Sequence, residues 1–305
     1  MSDRVLHVCS CSGNEPYLRK MITGIKSLTD AHIAGERRRY SYRKVSSQTT
    51  TAGLWFDLAL SPGNPPPKYW FDASPLTARA ITQSADGGFY HGPNVSPDTK
   101  YLTKLLTVMG TATPLPMSMV LCDYVMYYPS IDEGNTDLQE LDNTVTLPRH
   151  TSGQGLQILP VTVGARTVSV TFSVSYTNSD GVAGRTSVIT TLNTASAIGT
   201  VASSATATSD AANPFLGLQS GDSGVRSIQS VQMLGSGDGL FSLILVKPLA
   251  TTMCREITAP TEIDMLGNSS ILPIIPDNAF LSYLCLPNGS LSGVLVTGDL
   301  EVVWS

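Results

Sequence analysis

Thr167-Val-Ser-Val-Thr-Phe-Ser-Val-Ser-Tyr176 is the stretch that decides the fold class. Val168, Val170, Phe172, Val174 and Tyr176 alternate with Thr167, Ser169, Thr171, Ser173 and Ser175. Successive side chains of a strand point to opposite faces, so a period of two gives one apolar face and one hydroxyl-bearing face. Asn178-Ser-Asp-Gly181 has the residues of a turn, and residues 185–192 are the expected hairpin partner. Working outward, residues 54–60 and 116–128 read as strands, as do stretches near 155–163, 228–234, 239–247, 279–286 and 291–304. Ser61-Pro-Gly-Asn-Pro-Pro-Pro67 closes the first of these, because proline does not enter a sheet interior. After residue 50 the best helical stripe is Lys100–Met109, and it is short. Many strands and frequent Gly/Pro turns predict a mostly β chain with an antiparallel β-sandwich or jelly-roll-like body.

The charge distribution divides the chain. Residues 1–48 hold nine Lys/Arg against four acids, a surplus of five, so the remainder carries −10 of an overall −5. This predicts a basic N-terminal arm over 1–48 and a body over 49–305, with a possible subdivision of the body near 149. Within the arm, residues 15–34 read as one amphipathic helix. Leu18, Met21, Ile22, Ile25 and Leu28 form its apolar stripe, and Asn14 is the N-cap. Arg37, Arg38 and Arg39 follow, leading through Tyr40 and Tyr42 to Lys44. Such an arm suits docking on a neighbouring copy. The interleaved tyrosines also fit nucleic acid, but the acidic body opposes that partner. Charged residues make up only 14% of the chain, against roughly 25% in an average soluble domain. Interface centres are depleted in charge, so this composition favours a subunit of an assembly. No run of about 18 apolar residues predicts a membrane span. Five sparse cysteines (Cys9, Cys11, Cys122, Cys254, Cys285) fit reduced thiols in a cytosol.

Four clusters invite a chemical reading. Gly221-Asp-Ser-Gly224 matches the nucleophile loop of chymotrypsin-like proteases, but Val225 replaces the next glycine and neither His32 nor His150 has the context of a catalytic base. A β-turn uses the same residues. His7, Cys9 and Cys11 share one face of a short strand, a spacing poorly suited to tetrahedral zinc. Asp132, Glu133, Asp137, Glu140 and Asp142 crowd one stretch and could supply oxygen ligands to calcium, without the EF-hand spacing. Trp55, Tyr69 and Trp70 lead an aromatic group running to Tyr90, either a carbohydrate platform or anchors in a core or interface. Together these predict no enzyme, no cofactor and no metal.

Three stretches carry a resemblance to virion structural proteins of tailed bacteriophages. They are Gly53-Leu-Trp-Phe-Asp-Leu58 leading into Ser61-Pro-Gly-Asn-Pro65, then Leu121-Cys-Asp-Tyr-Val-Met-Tyr-Tyr128, and the closing Pro287-Asn-Gly-Ser290 and Gly298-Asp-Leu-Glu-Val-Val-Trp-Ser305. The chain lacks the long spine helix of the common shell-forming subunit. The resemblance therefore implies an accessory head protein, a decoration or cement subunit, assembled in the host cytoplasm. Its partners would be copies of itself and other virion proteins, with the major capsid protein foremost. A tail- or spike-associated glycan- or receptor-binding module is the alternative.

Overall fold

The two longest strands, Met117–Asp132 and Leu240–Cys254, run antiparallel along their whole length, from Asp132 opposite Leu240 to Met117 opposite Cys254. The structure, a computed structural model, describes residues 22–194, 197–203, 213–268 and 272–305. The two strands form the middle of a six-stranded sheet. Phe280–Leu286 and then Phe56–Asp57 extend it on one side, Gln157–Gly164 extends it on the other, and Arg79–Ala80 pairs beside Tyr127 and Met126. A bulge at Val125, where Tyr124 faces Val246 and Met126 faces Leu245, shifts the alternation by one residue. Met119, Leu121, Met126 and Tyr128 thereby share one face, and Cys122, Tyr124 and Tyr127 share the other.

Each end of the first face is covered by a further sheet. One has the order Thr261–Asp264, Lys100–Met109, Leu295–Trp304, Arg37–Val45, Gly63–Asn64. Its Leu102, Leu105, Val296 and Leu300 pack on Met117, Met119 and Leu121. The other has Thr171–Asn178 and Val225–Met233 at its centre, with Arg185–Thr186, Thr190–Thr191 and Gln139–Glu140 at its margins. Its Phe172, Val174, Tyr176 and Val231 meet Met126, Tyr128, Phe241 and Leu243. The molecule is thus two sandwiches that share one sheet. On the shared sheet's other face, Trp55, Leu60, Trp70, Ile81 and Val201 close over Tyr124, Leu159, Ile244 and Phe280. Burial on both faces explains why residues 117–128 read as a continuous apolar run. The chain is mostly β, and its named strands pair antiparallel throughout.

Several expectations change in detail. The deciding stretch enters its sheet only at Thr171; Val168 is exposed, and the Thr167 and Val168 amides donate to Asp238 in a turn. Lys100–Met109 is a strand, not a helix. A bulge at Thr103 places Leu102 and Leu105 on the same inner face three residues apart, which imitates helical spacing. The basic run from Arg37 belongs to the body: Arg37–Val45 pairs with Leu295–Trp304 over nine residues. Ahead of that strand lies the helix Ile25–Ala34, closed by Gly35 in the left-handed region (φ 80°) with the Glu36 amide donating to Ala31. Leu18 and Met21, with residues 15–21 of the expected helix, lie outside the described residues. So do the expected N-cap Asn14 and His7, Cys9 and Cys11.

Candidate interaction surfaces

The helix presents two apolar sides. Leu28 and Ala31 are buried against Val303, with Ile22 partly buried beside them, so this part of the stripe covers the chain's own sheet. Ile33, on the opposite side, is 81% exposed, and Ile25, one turn before Leu28 at the start of the helix, is 77% exposed. Of the stripe expected to meet a neighbour, Ile25 faces outward and Leu28 does not.

The arginines that follow are held by the chain itself. Arg37 Nη2 and Arg39 Nε donate to Glu301 Oε2 at 2.7 and 2.8 Å. Arg38 donates to the carbonyls of Gly35 and Arg37 and stays exposed. Burial pushes the Glu301 carboxyl up, but its bonds to Arg39 and Arg37 outweigh that and hold it below the ordinary value. Glu301 lies in a row across four strands, Asp264–Lys104–Glu301–Arg39, alternating in sign. Lys44 points inward, its Nζ donating to Ser61 O at 2.9 Å, and burial pulls it down to about 8. Tyr42 is buried and stacked on Phe89 at 4.3 Å, and Tyr40 meets Tyr90 edge-on. Neither tyrosine stands free to stack on a base.

The aromatic group divides in the same way. Trp55 and Trp70 belong to the core, which replaces their expected place in an interface. Trp70 stacks on Tyr124 and donates Nε1 to Asp57 Oδ2 at 2.6 Å; the Tyr124 hydroxyl donates to Oδ1 at 2.8 Å. Burial, only partly offset by these donors, pushes the Asp57 carboxyl up to about 6. Tyr69 and Phe71 alternate outward about Trp70. They are 45% and 47% exposed, and their rings are near-parallel with centroids 5.9 Å apart.

In the 221–224 turn and the 132–142 acidic stretch, side chains make structural ties. Asp222 accepts from the Tyr176 hydroxyl, Asn178 Nδ2 and Arg185 Nε, and Ser223 Oγ lies 3.1 Å from Ser179 Oγ and from Gln154 Oε1. These bonds fasten a turn to the ends of two strands. Glu133 is fully buried on Arg166, while Asp132 and Asp142 accept from the Gly134 and Thr144 amides. Among the described residues no group of three or more His, Cys, Asp or Glu could hold a metal ion. Cys122, Cys254 and Cys285 are buried, and burial pushes the Cys122 and Cys285 thiols well up, away from the reactive thiolate.

One buried cluster escapes a linear reading. Asp123 accepts from Arg149 Nε at 2.7 Å and from the Phe280 amide at 3.1 Å, with His150 Nε2 3.0 Å away. Burial raises the Asp123 carboxyl, yet its bonds to His150 and Arg149 bring it below the ordinary value. His91 Nε2 lies 2.9 Å from Ala279 O, and burial beside Lys100 pulls this imidazole down to about 4. The usable signal was Asp123 itself, since an acid inside a run buried on both faces requires a partner.

No family model, no curated protein and no solved structure matches the chain. Among the described residues no helix is long and apolar enough to cross a membrane.

Proposed function

We propose that this chain is a non-catalytic structural subunit of a larger assembly, and that the outer side of its N-terminal helix is a contact to a neighbouring subunit. The observation that carries the reading is the division of one short helix into buried and exposed apolar residues. Leu28 and Ala31 moor it to Val303, while Ile25 and Ile33 are held out to solvent. A moored helix has already lost much of its conformational freedom, which lowers the cost of using its outer side as a contact. The buried charged clusters support the same reading, because Asp57, Asp123, Glu133 and Glu301 all spend their acceptors on the chain's own donors.

The resemblance in the stretches at 53–65, 121–128 and 287–305 carries the proposal to a virion. There the chain would act as a decoration or cement protein on a phage head, touching copies of itself and the major capsid protein. Removing residues 2–34 tests the contact while sparing Arg37–Val45, which the body needs as a strand. The truncated chain should keep the β-sheet signal of its far-ultraviolet circular dichroism and lose assembly or particle binding. Undiminished assembly would contradict the proposal.

The exposed Tyr69–Phe71 pair favours a second reading, a glycan- or receptor-binding module. Tyr69→Ala with Phe71→Ala would then abolish glycan binding without altering assembly. Trp70→Ala is not a usable test, since that ring lies in the core.

A further inference from the structure

The sheet ordered Thr261–Asp264, Lys100–Met109, Leu295–Trp304, Arg37–Val45, Gly63–Asn64 ends in a short strand on either side. Backbone N–H and C=O groups of a strand turn alternately to its two sides. The Trp304 amide donates to Glu36 O and the Val45 amide to Pro62 O. Arg37, Arg39, Ser41 and Arg43 therefore turn their backbone groups away from Leu295–Trp304, and Gly63–Asn64 covers only Arg43 and Lys44. The Arg37 carbonyl accepts from its own chain's Arg38 side chain. Among the described residues the backbone groups of Arg39 and Ser41 have no partner on this edge.

The opposite edge has the matching phase. The Gly110 amide donates to Leu295 O and the Thr258 amide to Met109 O, so Leu105 and Thr107 face their ladder partners Ile263 and Thr261. The Glu262 backbone then turns outward. A groove of about 470 Å³ lined by Met253, Thr261, Glu262 and Ile263 leaves that side accessible.

The two edges carry opposite charge. Arg37 and Arg39 share one acid, Glu301, and so keep a positive surplus. Glu262 and Asp264 share one base, Lys104, at 2.9 and 3.9 Å, and so keep a negative surplus. Charge on an edge strand discourages pairing with its own kind. Here each edge repels a like edge and attracts the other. Direction fits as well. Every neighbour from Thr261–Asp264 to Arg37–Val45 is antiparallel, so a second copy in the same orientation brings its Thr261–Asp264 antiparallel to Arg37–Val45.

We propose that this sheet continues from copy to copy, with Thr261–Asp264 of one chain added as a strand beside residues 37–41 of the next. Glu262 faces Arg39 and Asp264 faces Arg37, with all four side chains on the outer face. Only this register sets both acids opposite an arginine; a shift of two residues toward Arg43 would bring Pro260 against Asn64. The contact is head-to-tail, so it builds rings or filaments. The inference rests on the reading of the chain as an assembly subunit and supplies a contact separate from the helix. The interface is small, about four backbone hydrogen bonds, so free chains associate with a Kd on the order of a millimolar and stand apart at micromolar concentration.

The test is sedimentation of the full chain carrying Ile25→Glu and Ile33→Glu, which removes the helix contact and lets the two contacts fail separately. Average mass should rise between about 10 µM and about 1 mM at low salt, and about 0.5 M salt should reverse the rise. At the upper concentration the Arg39 and Glu262 amides should slow in hydrogen exchange. Glu262→Arg should abolish the rise. Glu262→Pro should also abolish it, because it removes the outward N–H and leaves the ladder to Lys100–Met109 intact. A mass that stays monomeric throughout, a rise indifferent to both substitutions, or a rise without slowing of the Arg39 amide would overturn the proposal.

Discussion

The two sandwiches share the long strands Met117–Asp132 and Leu240–Cys254, yet their outer faces differ. One outer sheet carries the alternating row Asp264–Lys104–Glu301–Arg39. The other turns Thr171, Ser173, Ser175 and Thr177 outward beside Gln229 and Gln232. Their inner faces are alike, with Leu102, Leu105 and Val296 in one and Phe172, Val174 and Val231 in the other. Burial of the inner residues sets strand position and register, so the outer residues are free to serve solubility and contact. The charged sheet also gathers its strands from the beginning, middle and end of the chain, whereas the hydroxyl-faced sheet is built from residues 139–233.

The largest expected effects come from the inner faces. Phe172→Ala in one half should cost about 3–5 kcal/mol and Leu102→Ala in the other about 2–5 kcal/mol, as buried large-to-small changes do. If the shared strands bind the halves into one cooperative unit, either variant lowers the midpoint of a single transition. That transition should be the same by circular dichroism and by tryptophan fluorescence, to which Trp304 in the charged half and Trp55 and Trp70 in the core over the shared sheet all contribute. A separate early transition of one half would break the comparison.

Asp123 comes next, at the middle of the shared sheet. Its folded carboxyl sits below the unfolded value, so its stabilising contribution is present above the unfolded pKa and is lost as pH falls through the folded one. Glu301 acts with the same sign. Asp57 acts with the opposite sign. Its folded carboxyl, near 6, holds a proton more tightly than the unfolded one, so its term becomes more favourable as pH falls from about 6 toward 4. Asp123→Asn should cost about 3–5 kcal/mol at pH 7, since it leaves the Arg149 charge buried without its carboxylate. It should also flatten the acid limb of a Tm-versus-pH curve; a parallel curve would contradict this assignment.

The smallest effects belong to the outer faces. Lys104→Ala removes a partly exposed pair with Glu262 and should cost about 0–1 kcal/mol, with the difference shrinking in high salt. Ser173→Ala, on the hydroxyl-bearing face, should stay within about 0.5 kcal/mol. Urea titration of both variants would distinguish the two surfaces.

The hydroxyl-faced strand was legible because nothing interrupts its alternation. The charged sheet was not. Arg37–Val45 also alternates, with Tyr42 and Lys44 inward and Arg39, Ser41 and Arg43 outward, but a buried lysine and a run of arginines mask the pattern. Its countercharge on Glu301 lies more than 260 residues away. Lys100–Met109 was hidden by its bulge. Tyr69-Trp70-Phe71 shows a ring on each side of an extended segment, but which side faces the core depends on Asp57 and Tyr124, contacts that spacing along the chain does not reveal.

The central claim is that the helix is moored on one side and offered to a neighbour on the other. The most direct measurement is the mass of the purified chain by light scattering beside that of Ile25→Glu combined with Ile33→Glu. These substitutions touch only exposed positions and should leave the fold intact. The account predicts a multimer for the native sequence, insensitive to salt because the contact is apolar, and a monomer with unchanged Tm for the double variant. A monomeric native chain, or a variant that keeps the multimeric mass, would contradict it.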